Sequence, residues 1–147
     1  TMIKLLQNKL KDEIKSGNKK NVIAYRNMIG KLKSHEIDSK SKLTDDMCIN
    51  ILQKMAKQIN DSITQFKNGG RLDLVESEQN ELNVIQSFLP KQLSSIEMKD
   101  IISKIINDND ANGISDLGKI MGLVMKEIRG RGDGKLASKI VKELLTQ

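Results

Sequence analysis

Between Gly118 and Lys139 the chain interleaves glycines with cations: Gly118-Lys119-Ile120-Met121-Gly122, then Lys126, then Arg129-Gly130-Arg131-Gly132-Asp133-Gly134-Lys135, and Lys139 one turn on. Guanidinium and ammonium groups bind phosphate oxygens, Arg by two parallel bonds, and glycine lets a backbone come close to a phosphate. At about 100° per residue, Lys119 and Lys126 fall ~20° apart on one helix face, while Lys135, Lys139 and Lys142 follow the i, i+4, i+7 rule on the next helix. The N-terminus of that helix presents unpaired N–H groups to an anion. The pattern outlines a sugar–phosphate cradle. Its cations are Lys119, Lys126, Arg129, Arg131, Lys135 and Lys139, and its points of backbone approach are Gly118, Gly122, Gly130, Gly132 and Gly134. Three features weigh against it: Asp133 stands at the helix cap and repels phosphate, Gly118 and Gly122 also suit close helix packing, and lysines on solvated faces need no partner. The stretch is no P-loop, because the Lys-Ser or Lys-Thr ending is absent.

No other cluster points to catalysis, a metal or a cofactor. His35 beside Glu36 has no nucleophile that the sequence pairs with it. Asp45-Asp46 and the run Asp73, Glu76, Glu78, Glu81 read as solvated helix faces rather than a cation site. The only cysteine, Cys48, and the only histidine, His35, cannot make a four-ligand zinc site, and Cys48 falls on an apolar stripe that argues for burial. Met121 and Met125 read as core filler.

At 147 residues and 16.5 kDa the chain can bury a substantial core, and 37% hydrophobic with 30% charged residues is a globular composition. No apolar run reaches the ~18 residues of a membrane span, and no signal-peptide segment follows Met2, so no membrane partner is expected. One tyrosine, two phenylalanines and no tryptophan exclude modules that stack bases on aromatic platforms. A nucleic-acid partner is therefore met by charge and shape. The net charge of +6 divides into +7 over residues 1–42, −4 over 43–110 and +3 over 111–147. Positive ends around a negative middle favour a polyanionic partner, although a lysine- and asparagine-rich coding bias accounts for part of the first segment.

Apolar residues recur at three and four throughout, which predicts an all-α protein. A first helix over Met2–Ser16 carries Ile3, Leu6, Leu10 and Ile14 and stops at Gly17-Asn18. A second runs from Lys20 to Ile37 through Val22, Tyr25, Ile29 and Leu32. Thr44 caps a third, with Cys48, Leu52, Met55, Ile59, Ile63 and Phe66 on one face as far as Gly69-Gly70. A fourth over Leu72–Leu89 ends before Pro90, the only proline. Ser94 and Glu97 form a capping box for a fifth helix, Ser115 caps a sixth along Leu117, Ile120, Met121, Val124 and Ile128, and Asp133 caps a seventh. The expected architecture is a four-helix unit over residues 1–90 and a three-helix unit over 91–147.

The chain resembles the YqeY-like family, whose carboxy-terminal part is shared with the tail domain of the GatB subunit of tRNA-dependent amidotransferase. The residues that carry the resemblance are Val22-Ile23-Ala24-Tyr25-Arg26, Lys57-Gln58, Ser62, Phe66 and Gly70-Arg71-Leu72-Asp73-Leu74. It is sharpest in Glu81-Leu82, Phe88-Leu89-Pro90-Lys91-Gln92-Leu93-Ser94, Asp116-Leu117-Gly118-Lys119-Ile120-Met121-Gly122-Leu123-Val124-Met125, and Gly130-Arg131 with Asp133-Gly134-Lys135-Leu136. Lys126 departs from the family, where proline is frequent, and Ile59 stands where arginine is common.

The resemblance implies two all-α parts and, for the tail, binding to the tRNA body through Lys119, Lys126, Arg129, Arg131 and Lys135. It also implies an association with carbon–nitrogen ligase activity that uses glutamine as amide donor. The residues contain no Ser-Ser-Lys amidase arrangement and no nucleotide cradle for that chemistry. The residues and the resemblance together favour a non-catalytic tRNA-binding protein, with an amidotransferase or aminoacyl-tRNA synthetase as the expected partner. The alternatives are a subunit of amide transfer and a protein-interaction module using the acidic fourth helix. The expected location is cytoplasmic, or an organellar matrix after loss of a transit peptide.

Overall fold

A computed structural model describes residues 1–147. The chain is all-α, with no strands and seven helices: α1 (Met2–Ser16), α2 (Lys19–Ser39), α3 (Asp45–Asn68), α4 (Leu72–Gln86), α5 (Ser95–Asp108), α6 (Leu117–Ile128) and α7 (Gly134–Leu145). It divides into two compact units, Thr1–Leu89 and Pro90–Gln147.

In the first unit the side chain of Thr44 accepts from Met47 N and starts α3, with Asp45 and Asp46 in the first turn facing the positive end of the helix dipole. Leu6, Met28, Leu32, Leu52 and Ile85 are fully buried and join the four helices in one core. Tyr25 and Phe88 close it edge to face, ring centroids 5.9 Å apart. Cys48 is one of the core residues, and burial first, then the charges of Asp45 and Glu36, raise its thiol pKa, which keeps it protonated. The stripe of α1 stops short of the sequence expectation: Ile14 is 51% exposed. It sits on the last turn, where Gly17 N and Asn18 N donate back to the carbonyls of Ile14 and Glu13. Helix α4 ends three residues before the expected Leu89. Phe88 N and Leu89 N donate to Ile85 and Gln86, i→i+3 bonds that tighten the chain out of the α-helix.

In the second unit Met98, Ile102, Ile120, Val124, Ile128, Ala137 and Val141 form a separate core. The Ser94–Glu97 capping box is present in both directions, Glu97 N to Ser94 Oγ and Ser94 N to Glu97 Oε1, each 3.1 Å. Those bonds lower the Glu97 pKa. A carboxylate so held stabilises the fold above its ordinary pKa, about 4.3, and the contribution fades as pH falls through the lower folded value. Acid unfolding followed by circular dichroism should therefore show a stability loss below about pH 4 that is smaller in Glu97→Gln. Ser115 does not cap α6 as expected. It lies inside a 3₁₀ turn, Ile114–Asp116, entered through Gly113 at φ 87°. The Asp116 carboxylate instead accepts from Asn112 N at 2.8 Å, bracing the turn that precedes α6.

Candidate nucleic-acid interface

Helix α6 turns Ile120, Val124 and Ile128 into the core, which leaves Gly118, Lys119, Gly122, Leu123, Met125 and Lys126 on the solvent side. A Cβ added at Gly118 or Gly122 would meet nothing within 4 Å. Neither glycine therefore serves helix packing within this chain, and neither has the positive φ that would require glycine. Gly122, in the helix interior, still weakens the helix by about 1 kcal/mol relative to alanine, and Gly118, in the first turn, by less. The result is a bare strip of backbone with Lys119 and Lys126 together along one side of it, and Leu123, 37% exposed, beyond them.

Lys126 and Arg129 meet in an open groove of about 520 Å³, lined also by Leu123 and Glu127 of α6 and by Ile105 and Asn109 at the end of α5. Lys139 lines a different, smaller groove of about 240 Å³ between the start of α5 and the end of α7, with Lys99 and Glu143. Lys135, Lys139 and Lys142 are all exposed along α7. The structure thus brings Lys119, Lys126 and Arg129 to one helix face and its adjoining groove, and sets Lys139 in another.

The glycine-rich bend is built for its own folding. Gly130 is buried with φ 72°, and its carbonyl accepts from Gln92 Nε2 at 2.8 Å. Leu93 N donates to Arg131 O at 2.7 Å, so the segment before α5 straps the bend on two successive residues. Arg131 is half-buried, and its guanidinium donates to Glu127 O at 2.7 Å, satisfying a terminal carbonyl of α6. Gly132 is buried, and a Cβ there would overlap the Met98 methyl and lie 3.3 Å from Ile128 Cδ1. Gly134 lies under the Met125 methyl, 3.4 Å from where a Cβ would sit. Met125 is thus no core filler: it is 40% exposed and covers the start of α7. The Asp133 side chain accepts from Lys135 N at 3.0 Å, so a carboxylate already takes up that helix N-terminus. Gly132→Ala should lower stability by about 1 kcal/mol, because Met98 must move within a packed core. Thermal melting checks this, and Gly118→Ala serves as the contrasting substitution that meets no atom.

Several of the other polar groups named from the sequence have partners within the first unit. Glu36, next to the exposed His35, accepts from Leu43 N at 3.1 Å and orders the turn into α3. On α4, Asp73 pairs with Arg71, Glu76 with Lys20 at 3.0 Å, and Glu81 accepts from Asn27 at 3.1 Å. Burial raises the Glu81 pKa against that hydrogen bond. Three of the four carboxylates of α4 are thereby engaged, by α2 and by Arg71 at the helix's own cap. No three His, Cys, Asp or Glu side chains gather as a metal site would require, and no helix is long and apolar enough to cross a membrane.

The chain is all-helical, and on one of its core-anchored helices two open glycines lie alongside two exposed lysines. The model of Yqey-like proteins matches residues 3–145, and the chain belongs to that family. A Pyrenophora tritici-repentis protein named Altered inheritance of mitochondria protein 41, mitochondrial, is 29% identical over 143 residues, covering 95% of this chain and 78% of its own length. The protein of that name from Saccharomyces cerevisiae is 31% identical over 97 residues, 65% of this chain and 52% of its own. That from Vanderwaltozyma polyspora is 34% identical over 86 residues, 56% of this chain and 46% of its own.

Proposed function

We propose that this chain is a non-catalytic RNA-binding protein that holds the folded body of tRNA by its sugar–phosphate backbone. It acts beside a tRNA-dependent amidotransferase or an aminoacyl-tRNA synthetase in forming Gln-tRNA or Asn-tRNA. The observation that carries this reading is the outer face of α6, where Gly118 and Gly122 are open to solvent alongside Lys119 and Lys126. Helix stability disfavours glycine there and no neighbour requires it, whereas a ribose–phosphate strand gains from both the close approach and the adjacent cations. Arg129, sharing a groove with Lys126, extends the cationic row beyond the helix end. Arg131, Lys135 and Lys139 contribute longer-range positive potential. The relatives' names support an organellar site of action, and the resemblance to the GatB tail supports tRNA over other RNAs.

A backbone binder loses affinity steeply with salt, the slope rising by about 0.7–0.9 for each phosphate neutralised. Titrating purified tRNA with the protein at several salt concentrations should give a slope of roughly −2 to −3 for the α6 face alone. Several tRNA species should bind within a few-fold of one another. A flat salt response, or binding confined to one tRNA, would overturn the reading.

A further inference from the structure

Helix α2 has two faces that exclude water unequally. Its inner face buries Ala24, Tyr25, Met28, Ile29 and Leu32 in the core of the first unit. Its outer face carries a second regular row: Lys19, Ile23, Arg26, Gly30, Lys33 and Ile37, spaced alternately by four and three residues, with Lys40 just past the helix end. Cations occupy one position of this heptad and isoleucine or glycine the other. Ile23 is 57% and Ile37 74% exposed, and a Cβ at Gly30 would meet nothing within 4 Å. All three cations of the row are exposed, no acidic residue falls in it, and no ion pair within the chain engages Lys19, Arg26 or Lys33.

Residues spaced alternately by four and three line one straight face of a helix, here over about 27 Å, the face along which a second helix can lie. The glycine leaves a hole in the middle of the row, and the flanking isoleucines supply apolar contact. A second copy of the same face would double the positive charge in one seam, so the matching helix must carry carboxylates. Isoleucine gains nothing against phosphate, and an apolar line one residue wide is too narrow to enter a bilayer surface. We propose that the outer face of α2 is a docking strip for an acidic amphipathic helix of a partner protein.

The test places a photo-crosslinking amino acid at Ser34, an exposed position beside the row, and at Ser77 on α4 as control, in the full chain expressed in its host. The expected result is a nuclease-resistant protein adduct from position 34 and none from 77, with the crosslink mapped to an amphipathic helical segment of net negative charge. Ile23→Ser with Ile37→Ser, and Arg26→Glu with Lys33→Glu, should each cut the adduct yield at least ~10-fold while the melting temperature stays within a few degrees, since all four side chains are exposed. An adduct to RNA, to lipid, to a second copy of this chain or to a segment without net negative charge overturns the proposal. So does the absence of any adduct, or an adduct that survives both double variants. Lys119→Ala with Lys126→Ala on α6 should leave the adduct unchanged, which separates this surface from the RNA-binding reading.

Discussion

Replacing Lys119, Lys126 and Arg129 together by alanine is expected to weaken tRNA binding by roughly 100-fold, at about 1 kcal/mol for each solvent-exposed bond to phosphate that the variant can no longer make. The effect should be nearly equal for every tRNA tested, because groups that grip phosphate position a protein without reading sequence. The salt slope should fall by about two to three, one for each cation removed. Electrophoretic or anisotropy titrations at two salt concentrations measure both quantities. Folding is expected to be unaffected by the lysine changes, since Lys119 and Lys126 are exposed and point away from the core formed by Ile120, Val124 and Ile128. Arg131 is left in place for a physical reason. Its guanidinium donates to Glu127 O, and removing it would mix a change of charge with the breaking of an α6 terminal hydrogen bond. Parent-like binding by the triple variant would show that α6 is not the surface RNA meets.

The second large effect separates folding from binding by moving them in opposite directions. Gly118→Ala with Gly122→Ala should stabilise the second unit by about 1–2 kcal/mol, because both positions are helical and open, so alanine gains its propensity without a clash. A more stable protein that bound RNA as tightly as before would leave the glycines without a role. The expectation is instead about a tenfold loss of affinity, 1.4 kcal/mol, from methyl groups that hold a strand off the backbone. Melting temperature and tRNA affinity measured on the same sample give the two signs. A stability gain with unchanged affinity would rule out close backbone approach and leave charge alone to hold the RNA.

Much of the fold could be read from local pattern. Thr44, Ser94 and Asp133 cap their helices as their residue types predict, because a short polar side chain before an apolar run satisfies N–H groups one turn ahead with no help from tertiary structure. The family likewise emerged from the motifs around Phe88-Leu89-Pro90 and Gly118-Lys119-Ile120-Met121-Gly122. What the sequence could not show is which glycines face solvent. Gly122 and Gly132 look alike in the chain, yet the first is open and the second is pressed on Met98, a residue more than thirty positions away. The same holds for Arg131, whose partner is a carbonyl exposed by the end of α6. Ser115 misled because Asp116, the residue after it, bonds backward to Asn112 and moves the helix start to Leu117. Ile23 and Ile37 were invisible as a surface feature, since α2 also carries a strong inward stripe and periodicity alone does not say which of two apolar rows is buried.

The most direct test is to crosslink RNA to the protein in living cells, digest both, and sequence the RNA while mapping the peptide. A tRNA-binding α6 face predicts reads spread over many folded tRNAs, with the attachment inside the peptide that contains Leu117–Ile128. Reads dominated by messenger or ribosomal RNA, attachment confined to the first unit, or RNA recovery no higher than without irradiation would contradict it.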